Sequence, residues 1–168
     1  MQSDSLEIKP IGAIHSPFNQ AGSAPIQPVF ARGAEGTVEV LPAYVDALAD
    51  LEGFERIWLL YWFDRAAPFK PRVTPYLDDR KRGLFATRAP SRPNPIGMSC
   101  VRVLSVEGST IRVGDIDVLD NTPLLDIKPY AKRFDSFDVS RQGWLDAAAD
   151  KQGESDSRFY RNAKDKES

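Results

Sequence analysis

Gly97-Met-Ser-Cys-Val-Arg-Val-Leu-Ser-Val106, the turn Glu107-Gly-Ser109 and Thr110-Ile-Arg-Val-Gly-Asp-Ile-Asp117 together form the stretch from which the fold can be read. Apolar residues recur at every second position through Val101 and Val103 and again through Ile111, Val113 and Ile116 after one polar step, which places them on one face of extended chain. A short glycine-bearing connection between two such runs is a hairpin signal. Residues 97–117 therefore predict two antiparallel strands that need further strands to cover their buried face.

Working outward, the hairpin is bracketed by two proline-rich segments. On its N-terminal side, Arg88-Ala-Pro-Ser-Arg-Pro-Asn-Pro95 holds three prolines and two arginines in eight residues. Each proline fixes φ and biases the preceding residue toward extended backbone, so this is a loop stiffened before any ligand arrives. Arg88 and Arg92 offer planar, permanently charged donor forks suited to a carboxylate or another anion. On the C-terminal side, Asp117-Val-Leu-Asp-Asn-Thr-Pro-Leu-Leu-Asp-Ile-Lys-Pro-Tyr130 combines two prolines with acidic and hydroxyl side chains. Either loop alone reads first as a solvated surface connection; two flanking one hairpin suggest a shared site.

Other strands are expected at Leu6–Ile14, Gly36–Leu41 and Gly83–Arg88, and the apolar run Arg56–Phe63 reads as a central strand covered on both faces. Pro42 to Leu51 carries Tyr44, Val45, Leu48 and Leu51 at helical spacing before Gly53 and predicts a short helix. Asn19–Arg32 lacks periodicity and reads as a long loop, and Trp144 begins a helical turn. The fold class expected is mostly β: a compact barrel with one or two short helices over residues 6–145, then a polar tail at 146–168, with 151–168 charged enough to be mobile.

The chain has 168 residues, 42% of them apolar, and a formal net charge of −2. That length suits one domain with its own core. No apolar run approaches the roughly 20 residues that span a bilayer, and the N-terminus lacks signal-peptide features, so a cytoplasmic protein without a membrane partner is expected. Cys100 is the single cysteine and His15 the single histidine, so no zinc site and no metal is expected. Gly-x-Gly-x-x-Gly and Walker loops are absent, which argues against a Rossmann-type nucleotide site. Between Arg65 and Arg92, eight basic residues face only Asp78 and Asp79, a local field able to attract phosphate despite the acidic average.

Several blocks together resemble the TsaA/TrmO family. They are Ile11-Gly-Ala-Ile-His-Ser-Pro-Phe18, Pro25-Ile-Gln27, Leu51-Glu-Gly-Phe54, Gly83-Leu-Phe-Ala-Thr-Arg88, Arg92-Pro-Asn-Pro-Ile-Gly97, Asp126-Ile-Lys-Pro-Tyr130 and Gly143-Trp144. The resemblance covers about residues 8–145. It implies a non-Rossmann β-barrel binding S-adenosyl-L-methionine, a homodimer with the cofactor near the subunit interface, and transfer of a methyl group to N6 of threonylcarbamoyladenosine at position 37 of tRNA. The cofactor contacts it implies fall on Pro25, Ile26, Gln27, Phe63, Asp64, Arg88, Met98, Leu119, Asp120, Asn121 and Thr122. This chain departs from the family pattern at Ala89, where a serine is usual, at Asn121, where a glycine is usual, and at Asp64, where the strand often ends in histidine. Asn tolerates the left-handed backbone that glycine would supply.

For the proton released on methylation, Asp126 and Tyr130 are the expected catalytic residues, with His15 a third choice. Asp126 can equally make a loop-stabilising hydrogen bond, and Tyr130 can be a packed residue with its hydroxyl at the surface. Two alternatives stand beside tRNA methylation: a small-molecule methyltransferase of the same fold, and a module that binds the cofactor without turnover.

Overall fold

The computed structural model of the chain describes residues 6–148, 153 and 155–161. Eight strands follow in order: β1 (Gly12–His15), β2 (Glu35–Val40), β3 (Arg56–Trp62), β4 (Arg72–Val73), β5 (Arg82–Gly83), β6 (Ile96–Glu107), β7 (Thr110–Gly114) and β8 (Thr122–Pro129). Six of them close a barrel in the order β1-β2-β7-β6-β3-β8, and β4 and β5 form a separate two-stranded ribbon. Closure leaves none of the six with an unpaired edge.

The predicted hairpin is β6 and β7, joined at Glu107 and Thr110, with a register shift between Val103 and Ser105. Its inward residues Val101, Ile111 and Val113 meet Ile14 of β1, Val38 and Val40 of β2, Ile57, Leu59 and Tyr61 of β3 and Leu124 of β8 in one buried cluster. β3 differs from the sequence expectation: Ile57, Leu59 and Tyr61 are buried, whereas Trp58, Leu60 and Trp62 on the opposite face are only half-buried. A barrel strand has one interior face, so the aromatic outer set stands partly in solvent.

Glycine has a steric role at Gly97 of β6. A Cβ there would run into the rings of Tyr61 and Phe63, so the barrel closes on those rings only because the side chain is missing.

Several boundaries differ from the sequence reading. Only Gly12–His15 of the 6–14 segment is strand, since Pro10 interrupts the ladder before it. The helix expected at 42–51 is two short 3-10 turns, Pro42–Leu48 and Leu51–Gly53, whose Leu48 and Leu51 pack on the core. Gly83–Arg88 contributes only Gly83 to a strand and then turns at Leu84–Ala86. The second proline segment is a loop only to Asn121; from Thr122 it is β8, paired with β1 and β3. Pro123 has no partner on β3, Leu125 is skipped in the pairing, and Pro129 ends the strand, so neither proline costs a central ladder bond.

The ribbon, Leu84, Ala89 and Phe159 form a second small core, flanked by Tyr76 and Tyr160. Residues 155–161, expected in a mobile tail, pack here: Phe159 is buried and Ala66 pairs with Tyr160. Two aromatic side chains supply enough apolar area to fix a segment that is polar on average. Among the described residues no helix is long and apolar enough to cross a membrane.

Candidate active site

β3 runs out into Phe63 and Asp64 at one mouth of the barrel, and the loop after β7 crosses the same mouth. There Phe63, Asp64, Arg65, Asp117, Val118, Leu119, Thr122 and Tyr160 surround a cavity of about 20 Å³. That is room for about one water, so a larger ligand must lie across the open mouth.

Beneath it runs a buried polar chain. The Ser99 hydroxyl donates to Asp117 Oδ1 at 2.6 Å, and the Tyr61 hydroxyl lies 3.0 Å from Ser99 Oγ. Burial drives the Tyr61 phenol well above its ordinary range. Burial also raises the Asp117 carboxyl from 3.8 to about 7, against the lowering effects of the Ser99 hydroxyl and, more weakly, Arg88. Asp117 is therefore a carboxyl poised near neutrality that a cationic or hydrogen-bond-donating ligand could tip to the charged form.

Arg65 ties the two sides of the mouth together. Its Nη2 donates to Asp120 O at 2.8 Å and to Thr122 Oγ1 at 2.9 Å, and its Nε to Asp64 Oδ1 at 3.2 Å. Asp120 accepts at Oδ1 from Ser16 N at 3.1 Å, with His15 Nδ1 3.3 Å away. Burial opposes its ionisation, yet the Ser16 amide, His15 and the Asn121 amide hold its carboxyl below the usual range. Asn121 has φ 58°, the left-handed backbone a glycine would otherwise supply. His15 is thus a partner of Asp120 and, through Nε2 at 3.6 Å, of Glu39.

The long 19–32 loop reaches the site through Gln27, whose Oε1 accepts from Arg88 Nη1 at 2.6 Å while its Nε2 donates to Ile26 O at 2.7 Å. Ile26 in turn packs against Gly153, where a Cβ would strike its side chain. Pro25–Gln27, Arg88, Phe63, Asp64 and Leu119–Thr122 thus gather about one end of the barrel, with the charge of Arg88 felt at both Asp117 and Tyr61.

Met98 does not join them inside the mouth. It lies opposite Leu60, which on its other side lies opposite Asp126, so all three form one row on the barrel's outer face. Asp126 accepts from Lys128 Nζ at 2.8 Å through Oδ2 and from Ile127 N at 2.9 Å through Oδ1. Tyr130 stacks obliquely on Trp58, centroids 6.1 Å apart. Asp126 and Tyr130 are four residues apart, about 13 Å along extended chain, too far to be joined as one proton relay.

The basic segment is only partly free. Arg82 is engaged by Asp78 at 2.6 Å and lies over the Trp144 ring, and Arg92 Nη1 donates to Thr87 O at 3.0 Å. Lys70, Arg80 and Lys81 are exposed and take part in no ion pair among the described residues.

Ser99, Tyr61 and Tyr160 are the mouth residues that sequence reading missed, while Asp117 and Arg65 entered it only as the start of the second proline segment and of the basic stretch. Ser99 and Tyr61 sit at inward positions of strands otherwise apolar inside, which is a signal for a buried polar pair; Tyr160 lies in a polar segment and carried none.

Comparison with known proteins places these features in context. Residues 13–136 match the family described as the tRNA-methyltransferase O N-terminal domain, and the chain belongs to that family. It is 48% identical over 154 residues to a Pyrococcus abyssi protein described as a probable S-adenosyl-L-methionine-binding protein, covering 90% of this chain and 84% of that one. It is 35% identical over 136 residues to the tRNA (adenine(37)-N6)-methyltransferase of Escherichia coli, covering 75% of this chain and 58% of that one. The crystal structure of TrmO from Pseudomonas aeruginosa superimposes with a TM-score of 0.73 at 41% identity, covering 86% of this chain and 64% of that one. The chain thus spans roughly three fifths of the last two proteins.

Proposed function

We propose that this member of the TrmO family is an S-adenosyl-L-methionine-dependent methyltransferase that methylates N6 of N6-threonylcarbamoyladenosine at position 37 of tRNA, acting as a cytoplasmic homodimer. The observation that carries the reading is the convergence of Pro25–Gln27, Arg88, Phe63–Asp64 and Leu119–Thr122 on one barrel mouth in a chain of this family.

The residues there fit the cofactor in chemical type. Arg88, oriented by Gln27, suits a carboxylate. Phe63, Val118 and Leu119 offer apolar surface for an adenine, and Asp64, Asp117 and Thr122 offer acceptors for hydroxyl or ammonium groups. Bound there, S-adenosyl-L-methionine would supply an electrophilic methyl on its sulfonium. The chain's part is to orient: Arg65 braces Asp64 against Asp120 and Thr122, and the Ser99–Tyr61 pair fixes Asp117. The proton that N6 would release on methylation needs an acceptor, and Asp126, whose carboxylate Lys128 holds on the outer face of β8, would serve only where the substrate reaches that face. Tyr130, further along the same face, would stack or bond to the substrate rather than take that proton.

A homodimer is favoured by the outer face of β3 and β6, where Ile96, Met98, Leu60, Trp58 and Trp62 leave apolar surface open to water. Lys70, Arg80 and Lys81 would meet tRNA phosphates.

One observation favours the non-catalytic alternative: the chain spans 84% of the Pyrococcus relative, described only as cofactor-binding, against 58% of the E. coli methyltransferase. Labelled methyl transfer to tRNA with and without the threonylcarbamoyl group separates the readings. Label entering only the modified tRNA supports the proposal, and binding without transfer supports the module. Transfer to small molecules alone supports a methyltransferase of another substrate class.

A further inference from the structure

Residues 155–161 run across the molecule between two of the segments that build the barrel mouth. On one side Ser155 donates from N and Oγ to Ala24 O at 3.1 and 2.8 Å, and Gly22 N donates to Ser155 Oγ at 3.2 Å. On the other, Ala67 N donates to Phe159 O at 2.8 Å and Arg161 N to Arg65 O at 3.1 Å. Phe159 anchors the crossing in the second core, edge-on to Tyr76 at 5.1 Å, and the Tyr76 hydroxyl donates to Asp156 O at 3.0 Å. The next residue, Tyr160, forms a wall of the cavity shared by Phe63, Asp64, Asp117, Leu119 and Thr122.

The Tyr160 hydroxyl has no hydrogen-bond partner among the described residues. It is desolvated by burial and lies within the field of Arg65, Asp117 and Asp64. Only Ser91 Oγ is a buried polar side-chain atom without a partner among the described residues, so the Tyr160 hydroxyl stays open to water at the cavity and is free to bond a ligand that displaces that water.

We propose that residues 155–161 are a built part of the cofactor site, locking the 22–26 loop to residues 65–67 and presenting the Tyr160 ring and hydroxyl, opposite Asp117, to a hydroxyl or ammonium group of the ligand. The inference rests on the cofactor reading above and deepens it, since neither Tyr160 nor this segment is among the contacts that the family resemblance implies. The chemistry is recognition only: Tyr160 both donates and accepts, and Asp117 accepts.

Calorimetric titration of S-adenosyl-L-methionine into the full chain, Tyr160→Phe, Tyr160→Ala and a chain ending at Gln152 tests it. Losing one ligand hydrogen bond should weaken binding about five-fold in Tyr160→Phe, with an unchanged melting midpoint in the absence of ligand. Tyr160→Ala, which also removes the ring wall, should weaken it roughly thirty-fold. The truncated chain should bind at least as poorly as Tyr160→Ala. Should truncation prevent folding, the two point variants decide. Wild-type affinity in both would overturn the inference while leaving the cofactor reading intact, and tighter binding in either would show the segment to be an obstruction. Absence of binding in the wild-type chain would remove the cofactor reading itself.

Discussion

Arg88 Nη1 donates to Gln27 Oε1 at 2.6 Å across 61 residues of sequence, joining the proline-stiffened loop before β6 to the long loop after β1. Each side chain is thereby held in place before a ligand arrives, with the Arg88 charge felt at Asp117. Arg88→Ala should weaken S-adenosyl-L-methionine binding by about ten- to a hundred-fold, the worth of one charge-assisted hydrogen bond. Because Arg88 is exposed, the melting midpoint should hardly move. Calorimetry alongside thermal denaturation checks both halves.

Asp117 gives the fold a pH dependence of defined sign. Its carboxyl is raised to about 7 in the folded chain from an ordinary value of 3.8. Between those values the folded state holds a proton that the unfolded state has released, so this group's stabilisation is full below about pH 4 and is lost as pH rises through 7. Wild type should therefore lose up to a few kcal/mol from this source between pH 4 and 8. Asp117→Asn should show a flatter profile in urea denaturation, and an unchanged slope would contradict the assignment.

Gly97 is where the barrel wall meets the Tyr61 and Phe63 rings. Gly97→Ala should destabilise by about 1–3 kcal/mol, the usual cost of overpacking a core. It should also disturb the cofactor mouth, since Tyr61 is fixed to Ser99 and Phe63 lines the cavity. Urea midpoints and cofactor affinity should fall together.

The exposed cations Lys70, Arg80 and Lys81 should carry the electrostatic part of tRNA binding. Replacing all three with alanine should reduce affinity and shallow the dependence of log K on log salt by about one for each phosphate no longer neutralised. Arg82→Ala should matter less, because that guanidinium is committed to Asp78. Filter binding over a salt series distinguishes them.

Met98, on the open outer face of β6, should report assembly. Met98→Lys puts a charge on the apolar outer face proposed as the dimer contact and should shift the protein toward monomer in light scattering while leaving the barrel folded, because Met98 is 44% exposed.

The barrel was legible in the sequence because its strands alternate or run apolar: β2, β3, β6 and β7 fall within three residues of their expected bounds. β8 was hidden by Pro123 and Pro129, which read as loop residues until the bulge and strand end that accommodate them are seen. Residues 42–53 kept helical spacing but formed 3-10 turns, since Asp50 breaks the run at φ 66°. At the site, Arg88 stood out by its prolines, whereas Asp117 looked like an ordinary strand-end carboxylate. Its role depends on Ser99 and Tyr61 meeting it from two other strands, a long-range juxtaposition that local pattern does not encode. Tyr160 was obscured by its charged neighbours, and only the aromatic packing of Phe159 on Tyr76 reveals why its segment is held.

The central claim is that loops from four parts of the chain build one cofactor site at the barrel mouth. The most direct test is titration of S-adenosyl-L-methionine into the wild-type chain while following backbone amide shifts. Saturable binding is expected, with the largest shifts at Gln27, Asp64, Arg88 and Leu119–Thr122. Saturable shifts confined to the opposite end of the barrel, around Leu48 and Gly108, or no shifts at any concentration, would contradict it.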